Sequence, residues 1–287
     1  MPAPVYAFSP GHISGYFKMV PGDSVITTGS IGAGVVISEG VTASAEPSGT
    51  TIITVERVDR SGRCISRSSG STPLEYAIRE LGVTARITTS CRLPIGAGFG
   101  MSAAALLASL TAANELLGLG ISRREIALRA HESEVVHRTG LGDVAACQGG
   151  GFVIRKEPGI DGEITRIFPR DCELSAISFG PISTPVILGS GEAMARVASA
   201  YPDGYPASVP DIFRFSRRFA ESSGLIYGET RAVLDACAAA HVPASMTMLG
   251  KGVFAGGSRA QEILGRFGDI YSFAVAGEGV HLLEGRK

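Results

Sequence analysis

Polar and apolar positions along the chain change period several times. At 51–58 (TIITVERV) and 85–93 (ARITTSCRL) they alternate, the two-residue period of a half-buried strand, and Ile87, Thr89, Cys91 and Leu93 share one face. Segments 3–9, 34–38, 152–155, 175–179, 186–188 and 245–249 are short apolar runs between turn residues and predict further strands. Helical patterning covers 74–81, closed by Gly82, then 102–117, 122–137, 211–222 and 225–240. Ser122 is placed to cap the 122–137 helix, with Glu125 completing a capping box. The stretch 64–73, rich in Ser, Gly and Arg, predicts a loop. The stretch 157–171, with Pro, Gly and mixed charge, predicts a boundary between domains 1–156 and 157–287. Strands and helices mix without a regular βαβ alternation, which favours an α+β fold over a doubly wound sheet.

Composition narrows the function classes. Lys+Arg is 26 and Asp+Glu is 27 among 287 residues, so neither a basic nucleic-acid surface nor an acidic tail is indicated. Hydrophobic residues make up 45% and charged ones 18%, enough for a generous core. The apolar 102–119 stretch is interrupted by Ser109, Thr111, Asn114 and Glu115, so it predicts a buried helix and no membrane span. No signal peptide is visible. Five scattered cysteines (Cys64, Cys91, Cys147, Cys172, Cys237), with no CxxC pair, predict reduced thiols in a cytoplasmic protein.

The most informative stretch is PIGAGFGMSAA at 94–104. A strand ends, three alternating glycines turn the chain, and a helix begins. Glycines let backbone N–H groups approach a ligand closely, and a helix start adds free donors and partial positive charge. The combination predicts a polyphosphate cradle over 96–103. Ser102 is placed to cap the helix or to reach a phosphate-bound metal. The Walker pattern GxxxxGK[ST] is absent, because Gly252 follows Gly250 and Lys251. The dinucleotide fingerprint is also absent: the spacing is GxGxG, and the next acid, Glu115, lies within the helix. A nicotinamide dehydrogenase fits poorly.

A second constellation is acidic. The helix AHESEVVH at 130–137 runs into Gly140-Leu141-Gly142-Asp143. Phosphoryl transfer needs a metal to offset phosphate charge and a group to orient the attacking hydroxyl, and two such carboxylates could divide these tasks. Glu132 alone reads as a solvated helix residue. Asp143, in an otherwise apolar segment, needs a partner if buried. The i,i+6 spacing of His131 and His137 keeps them off one helix face, so they are read as capping or packing residues.

The loop at 94–104 resembles PxxxGLGSSAA, the nucleotide loop of the GHMP small-molecule kinases. Phe99 stands for Leu and Met101 for the first Ser. AFSPGHISG at 7–15 resembles that family's N-terminal strand and loop, with His12 where mevalonate kinase-like members carry Lys. MTMLGKGVF at 246–254 resembles the family's C-terminal glycine motif. The resemblance implies a two-domain α+β fold, with a ribosomal protein S5 domain 2-like N-terminal part and a ferredoxin-like C-terminal part. It implies ATP and Mg2+ as cofactors and a homodimer.

By the same resemblance, Pro94, Gly96, Ala97, Gly98, Phe99, Gly100, Met101, Ser102, Ala103 and Lys251 bind the nucleotide. Ser102 and Glu134 hold the metal, with Glu132 as the alternative ligand, and Asp143 contacts the acceptor hydroxyl. His12, Ser14, Ser30 and Gly32 fall in acceptor-lining segments, and Arg155 is the candidate for an acceptor carboxylate. Five segments, AFSPGHISGYF, GSIGAGVVISEG, AHESEVVHRTGLGDV, GGGFVIRKEPG and SMTMLGKGVFA, resemble the archaeal branch that phosphorylates the C4 hydroxyl of (R)-pantoate for coenzyme A synthesis. Another acceptor (homoserine, mevalonate or shikimate) and a non-catalytic sensor of the same fold are the alternatives.

Overall fold

The computed structural model describes residues 3–182 and 190–284, so the predicted strand at 186–188 lies outside the described residues. Two long strands begin the chain: β1 (Val5–Val20) and β2 (Gly29–Pro47). Both run far beyond the expected 3–9 and 34–38. Bulges at Pro10/Gly11 and Ser14/Tyr16 let β1 pass through its Pro and Gly residues without losing its partner. Next come β3 (Ile52–Val58), β4 (Cys64–Ser69), α1 (Thr72–Glu80) and β5 (Ala85–Cys91). β4 corrects the loop expected at 64–73. It is exposed throughout and pairs only with β3, so no apolar alternation marked it.

Three helices follow: α2 (Met101–Leu117), α3 (Arg123–His137) and the short α4 (Asp143–Cys147). Ser122 caps α3, accepting from the Glu125 N–H as its spacing predicted. α2 is apolar nearly all round because most of its faces are buried, Leu106, Leu107 and Leu110 packing with Ile78, Ile87 and Ile126. Strands β6 (Phe152–Arg155) and β7 (Ile164–Ile167) extend the first sheet. Its order is β12-β1-β2-β5-β3-β4, where β12 is His281–Leu282, with β6 on β2 and β7 on β6. The first sheet therefore crosses the boundary expected at 156 and takes back a strand from the C-terminus. Backbone pairing across the linker outweighs its Pro/Gly composition.

The remainder comprises β8 (Glu173–Pro181), α5 (Gly191–Ser199), α6 (Val209–Ser223), α7 (Gly228–Ala239), β9 (Ala244–Met246), β10 (Gly250–Gly256), α8 (Ala260–Leu264) and β11 (Ile270–Ala274). Its four strands form a second sheet in the order β11-β8-β10-β9. One core joins the two sheets. Ile13, Tyr16 and Val35 of the first share it with Leu174 and Phe254 of the second and with Phe213 and Phe219 of α6. No helix among the described residues is long and apolar enough to cross a membrane.

Candidate functional site

The glycine turn sits where β5 hands over to α2. Gly96, Gly98 and Gly100 have φ of 73°, 83° and 68°, the left-handed region that side chains disfavour. Tertiary contact reinforces the requirement. A Cβ on Gly98 would lie 2.8 Å from Met248 O, and one on Gly100 would lie 2.8 Å from His12 N. The C-terminal motif thus packs against the turn, and Thr247 Oγ1 donates to Ala97 O at 3.1 Å. Leu249, with φ 63°, also lies on the cleft wall.

Gly98→Ala combines left-handed strain with a clash, whereas Gly82→Ala, at φ 70° with nothing within 4 Å, carries strain alone. Thermal unfolding should show the larger loss in the first, about 1–3 kcal/mol beyond the second. Equal losses would remove the Met248 contact from the account.

The turn forms one wall of a cleft holding about 700 Å3 including its mouth. Gly96, Gly98, Phe99, Gly100, Met101 and Ser102 line it, facing Thr139, Gly140, Leu141, Gly142 and Asp143, with His12, Ser14, Phe17 and Ser30 between. Ser102 is the second residue of α2, and Gly100, its N-cap, makes no side-chain cap. The Ser102 hydroxyl is therefore not needed as the cap. A second, mainly apolar hollow shares Met101 and Ser102 with the cleft and is walled by Val41, Val55, Cys91 and Leu106.

Asp143 opens α4 and is partly exposed, its side chain 25% accessible. Its Oδ1 meets His12 Nδ1 at 2.6 Å. His12 lies in β1 between the two bulges, and its backbone N–H donates to Phe99 O at 3.0 Å. A Cβ on Gly34, in the adjoining strand, would come within 2.5 Å of His12 Nε2, so that glycine makes room for the ring. Burial is the main cause holding the imidazole below its ordinary pKa; Asp143 pulls it up and the Arg155 charge pushes it down.

Glu134, on α3, is fully buried, and neither carboxylate oxygen has a hydrogen-bond partner among the described residues. Burial raises its pKa well above the usual carboxylate range, and the neighbouring Asp143 adds to the rise; the Val144 amide, which lies near without reaching hydrogen-bond geometry, and Arg155 oppose it. A Cβ on Gly140 would lie 2.3 Å from Glu134 Oε1 and 3.2 Å from Asp143 Oδ2, so both carboxylates pack against that glycine. Glu132 lies elsewhere, accepting from Tyr76 O–H at 3.3 Å and meeting Arg129. His137 binds Ser133 O and stacks edge-on against Tyr76, the packing role its spacing predicted.

Several expected contacts are placed differently. Arg155, at the end of β6, is buried behind the wall, with Nη1 3.4 Å from His12 Nε2. Its Nε has no partner among the described residues and would lie 2.8 Å from a Cβ on Gly142, which would also crowd Ser30 Oγ. Gly32 does not line the cleft. It occupies φ 147°, where a Cβ would strike Tyr16 O at 2.2 Å, so its need is for backbone room. Lys251 is in β10, its Nζ 5.6 Å from the Tyr227 ring centroid, and is not among the cleft residues. Pro94, Ala97 and Ala103 support the turn without lining the cleft. Sequence reasoning missed Thr139, whose Oγ1 is buried and unpartnered, along with Met248 and Phe17. Only the glycine-flanked setting of Thr139 signalled it.

A magnesium ion needs oxygen ligands and commonly shares them with substrate phosphates. The unpartnered Glu134 carboxylate and the uncommitted Ser102 hydroxyl fit that donor chemistry. The described residues contain no group of three or more His, Cys, Asp or Glu able to hold a metal unaided.

Comparison with known proteins adds four findings. The pattern of the GHMP kinases N terminal domain matches residues 72–151, which include the glycine turn, Glu134 and Asp143. The pantoate kinase of Methanospirillum hungatei is 46% identical over 283 residues, covering 99% of this chain and 98% of that protein. The pantoate kinase of Thermococcus kodakarensis is 30% identical over 265 residues, 88% of this chain and 87% of that one. A solved structure described as a phosphotransferase related to the CoA biosynthesis pathway superposes with a TM-score of 0.84 at 24% identity, covering 99% of this chain and 100% of its own.

Proposed function

The chain belongs to the pantoate kinase family of GHMP kinases, and on that premise we propose that it transfers the γ-phosphoryl group of ATP to the C4 hydroxyl of (R)-pantoate. The observation that carries this reading is the single cleft in which left-handed glycines and the start of α2 face Asp143. Free amides at the turn suit the triphosphate, and the adjoining apolar hollow suits the adenine ring.

Phosphoryl transfer is chiefly positioning and charge neutralisation. Asp143 orients the C4 hydroxyl, through the oxygen that His12 leaves free, and takes up its proton late. Ser102 and Glu134 are the residues that would hold magnesium, which when bound offsets the charge of the phosphates. Phe17 and Leu141 offer apolar surface to the two methyl groups of pantoate, and Ser14 and Ser30 offer hydroxyls to its polar end. Arg155 is the partner for the carboxylate: its Nε is a buried donor that nothing among the described residues satisfies, beside Ser30 and beneath Gly142. All five cysteines are free, which suits a reducing cytoplasm.

A coupled ADP-release assay with (R)-pantoate, homoserine, mevalonate and shikimate tests the acceptor. Turnover should be confined to pantoate, and preference for another alcohol would replace it. Arg155→Ala should raise KM for pantoate about tenfold or more, as losing a charge-assisted hydrogen bond implies. KM for ATP should barely move. Equal changes in both would reject the carboxylate assignment.

A further inference from the structure

Position 12 connects the two halves of the cleft, and its imidazole lies between an aspartate and an arginine. His12 is as buried as Arg155, each 1% exposed, and what sets it apart is that its ring is committed to protein partners. Its two ring nitrogens are both engaged, Nδ1 with Asp143 Oδ1 at 2.6 Å and Nε2 with Arg155 Nη1 at 3.4 Å. A guanidinium only donates and an ionised carboxylate only accepts. The partners therefore assign the proton to Nδ1 and the lone pair to Nε2. Asp143 Oδ2 makes no hydrogen bond among the described residues, and Asp143 lines the cleft. The backbone of His12 is held as firmly as its ring, by Phe99 O and by the close approach of Gly100.

We infer that His12 is a positioning residue: with its proton on Nδ1, it pins Oδ1 of Asp143, leaves Oδ2 for the acceptor hydroxyl, and has its own tautomer set by Arg155. This rests on the phosphotransfer reading above and assigns His12 a role other than direct acceptor contact. The imidazole also separates two charges. Arg155 and Asp143 are bridged by a neutral ring, so the row has no net charge. A lysine at position 12 would put a second buried cation beside Arg155, with one carboxylate between them to offset both.

Three substitutions separate this role from acceptor contact and from simple packing. An asparagine amide reaches about as far as Nδ1 of histidine, and a glutamine amide about as far as Nε2. His12→Ala should lower kcat about 10²-fold, the scale of a small misplacement of a reacting group. KM for pantoate and for ATP should each stay within about threefold. His12→Asn should recover about tenfold of the lost kcat, and His12→Gln should not. If the alanine variant does not fold, the Asn and Gln variants are compared with each other. Unchanged kcat, a change confined to acceptor KM, or rescue by Gln equal to that by Asn would each overturn the inference.

A second readout needs no turnover. The ring 15N signals of His12, identified by their loss in His12→Asn, should show a protonated Nδ1 and a bare Nε2 at neutral pH. A proton on Nε2, or on both nitrogens, would overturn the assignment. A wild-type protein with the expected tautomer and no activity on pantoate would reject the acceptor instead, leaving His12 in place.

Discussion

Asp143→Ala is expected to lower kcat by about 10²–10⁴-fold, the usual contribution of a positioned proton acceptor. That range corresponds to about 2.7–5.5 kcal/mol of transition-state stabilisation. Asp143 stands across the cleft from the glycine turn, with one oxygen held by His12 and the other without a partner among the described residues. Little of its value lies in binding the ground state, so KM for ATP should be nearly unaffected. Steady-state kinetics with saturating ATP and varied pantoate make the measurement. Turnover near the wild-type rate would remove Asp143 from the chemistry.

Glu134→Gln should do two opposite things: abolish most activity and make the ligand-free protein more stable. The Glu134 carboxylate is buried, both oxygens lack partners, and Asp143 is a charged neighbour. An uncompensated buried charge destabilises the fold, and a neutral amide of similar shape relieves about 1–2 kcal/mol of that penalty. At roughly 2–4 °C per kcal/mol, the melting temperature should rise by several degrees.

The pH dependence has a definite sign. The folded-state pKa of Glu134 is raised above its unfolded value, so its protonated form contributes stability that is complete below the ordinary carboxylate range. That contribution is lost as pH rises through the raised value. The advantage of Glu134→Gln should therefore be larger at pH 8 than at pH 5. Thermal unfolding in chelator at both values tests this, and a variant less stable than wild type at pH 8 would mean that the carboxylate already has a partner. A magnesium nucleotide should reverse the order, by stabilising the wild type and not the variant.

Such a trade between stability and activity is common where a site holds charge ready for a ligand. Here it has a local signature. Glu134, Thr139 and Arg155 each hold a buried polar atom without a partner among the described residues, and all three adjoin the cleft.

Much of this arrangement was legible from contiguous residues. The three alternating glycines predicted a turn between a strand and a helix, and there all three have positive φ. The Ala/Leu run at 102–117 and the Ser122 cap predicted α2 and α3 almost to the residue. Each rests on interactions within a few positions along the chain, which a local pattern records directly. β4 was not legible because an exposed edge strand needs no apolar alternation. The lengths of β1 and β2 were underestimated because Pro10, Gly11, Gly32 and Gly40 read as turn residues until bulges and a facing partner strand accommodate them.

The sequence by itself thus determined the glycine turn proposed to hold the phosphates, the helices beside it, the family resemblance and the identities of Ser102, Glu134 and Asp143 as candidates. Only the tertiary structure decided that His12 meets Asp143 across 131 positions and Arg155 across 143. It also decided that Lys251 lies against Tyr227 and that Gly32 is present to spare the Tyr16 carbonyl. The physical reason is that these contacts depend on strand register and on which side chains lose their water. Those properties come from pairing distant segments, so no single stretch of residues encodes them.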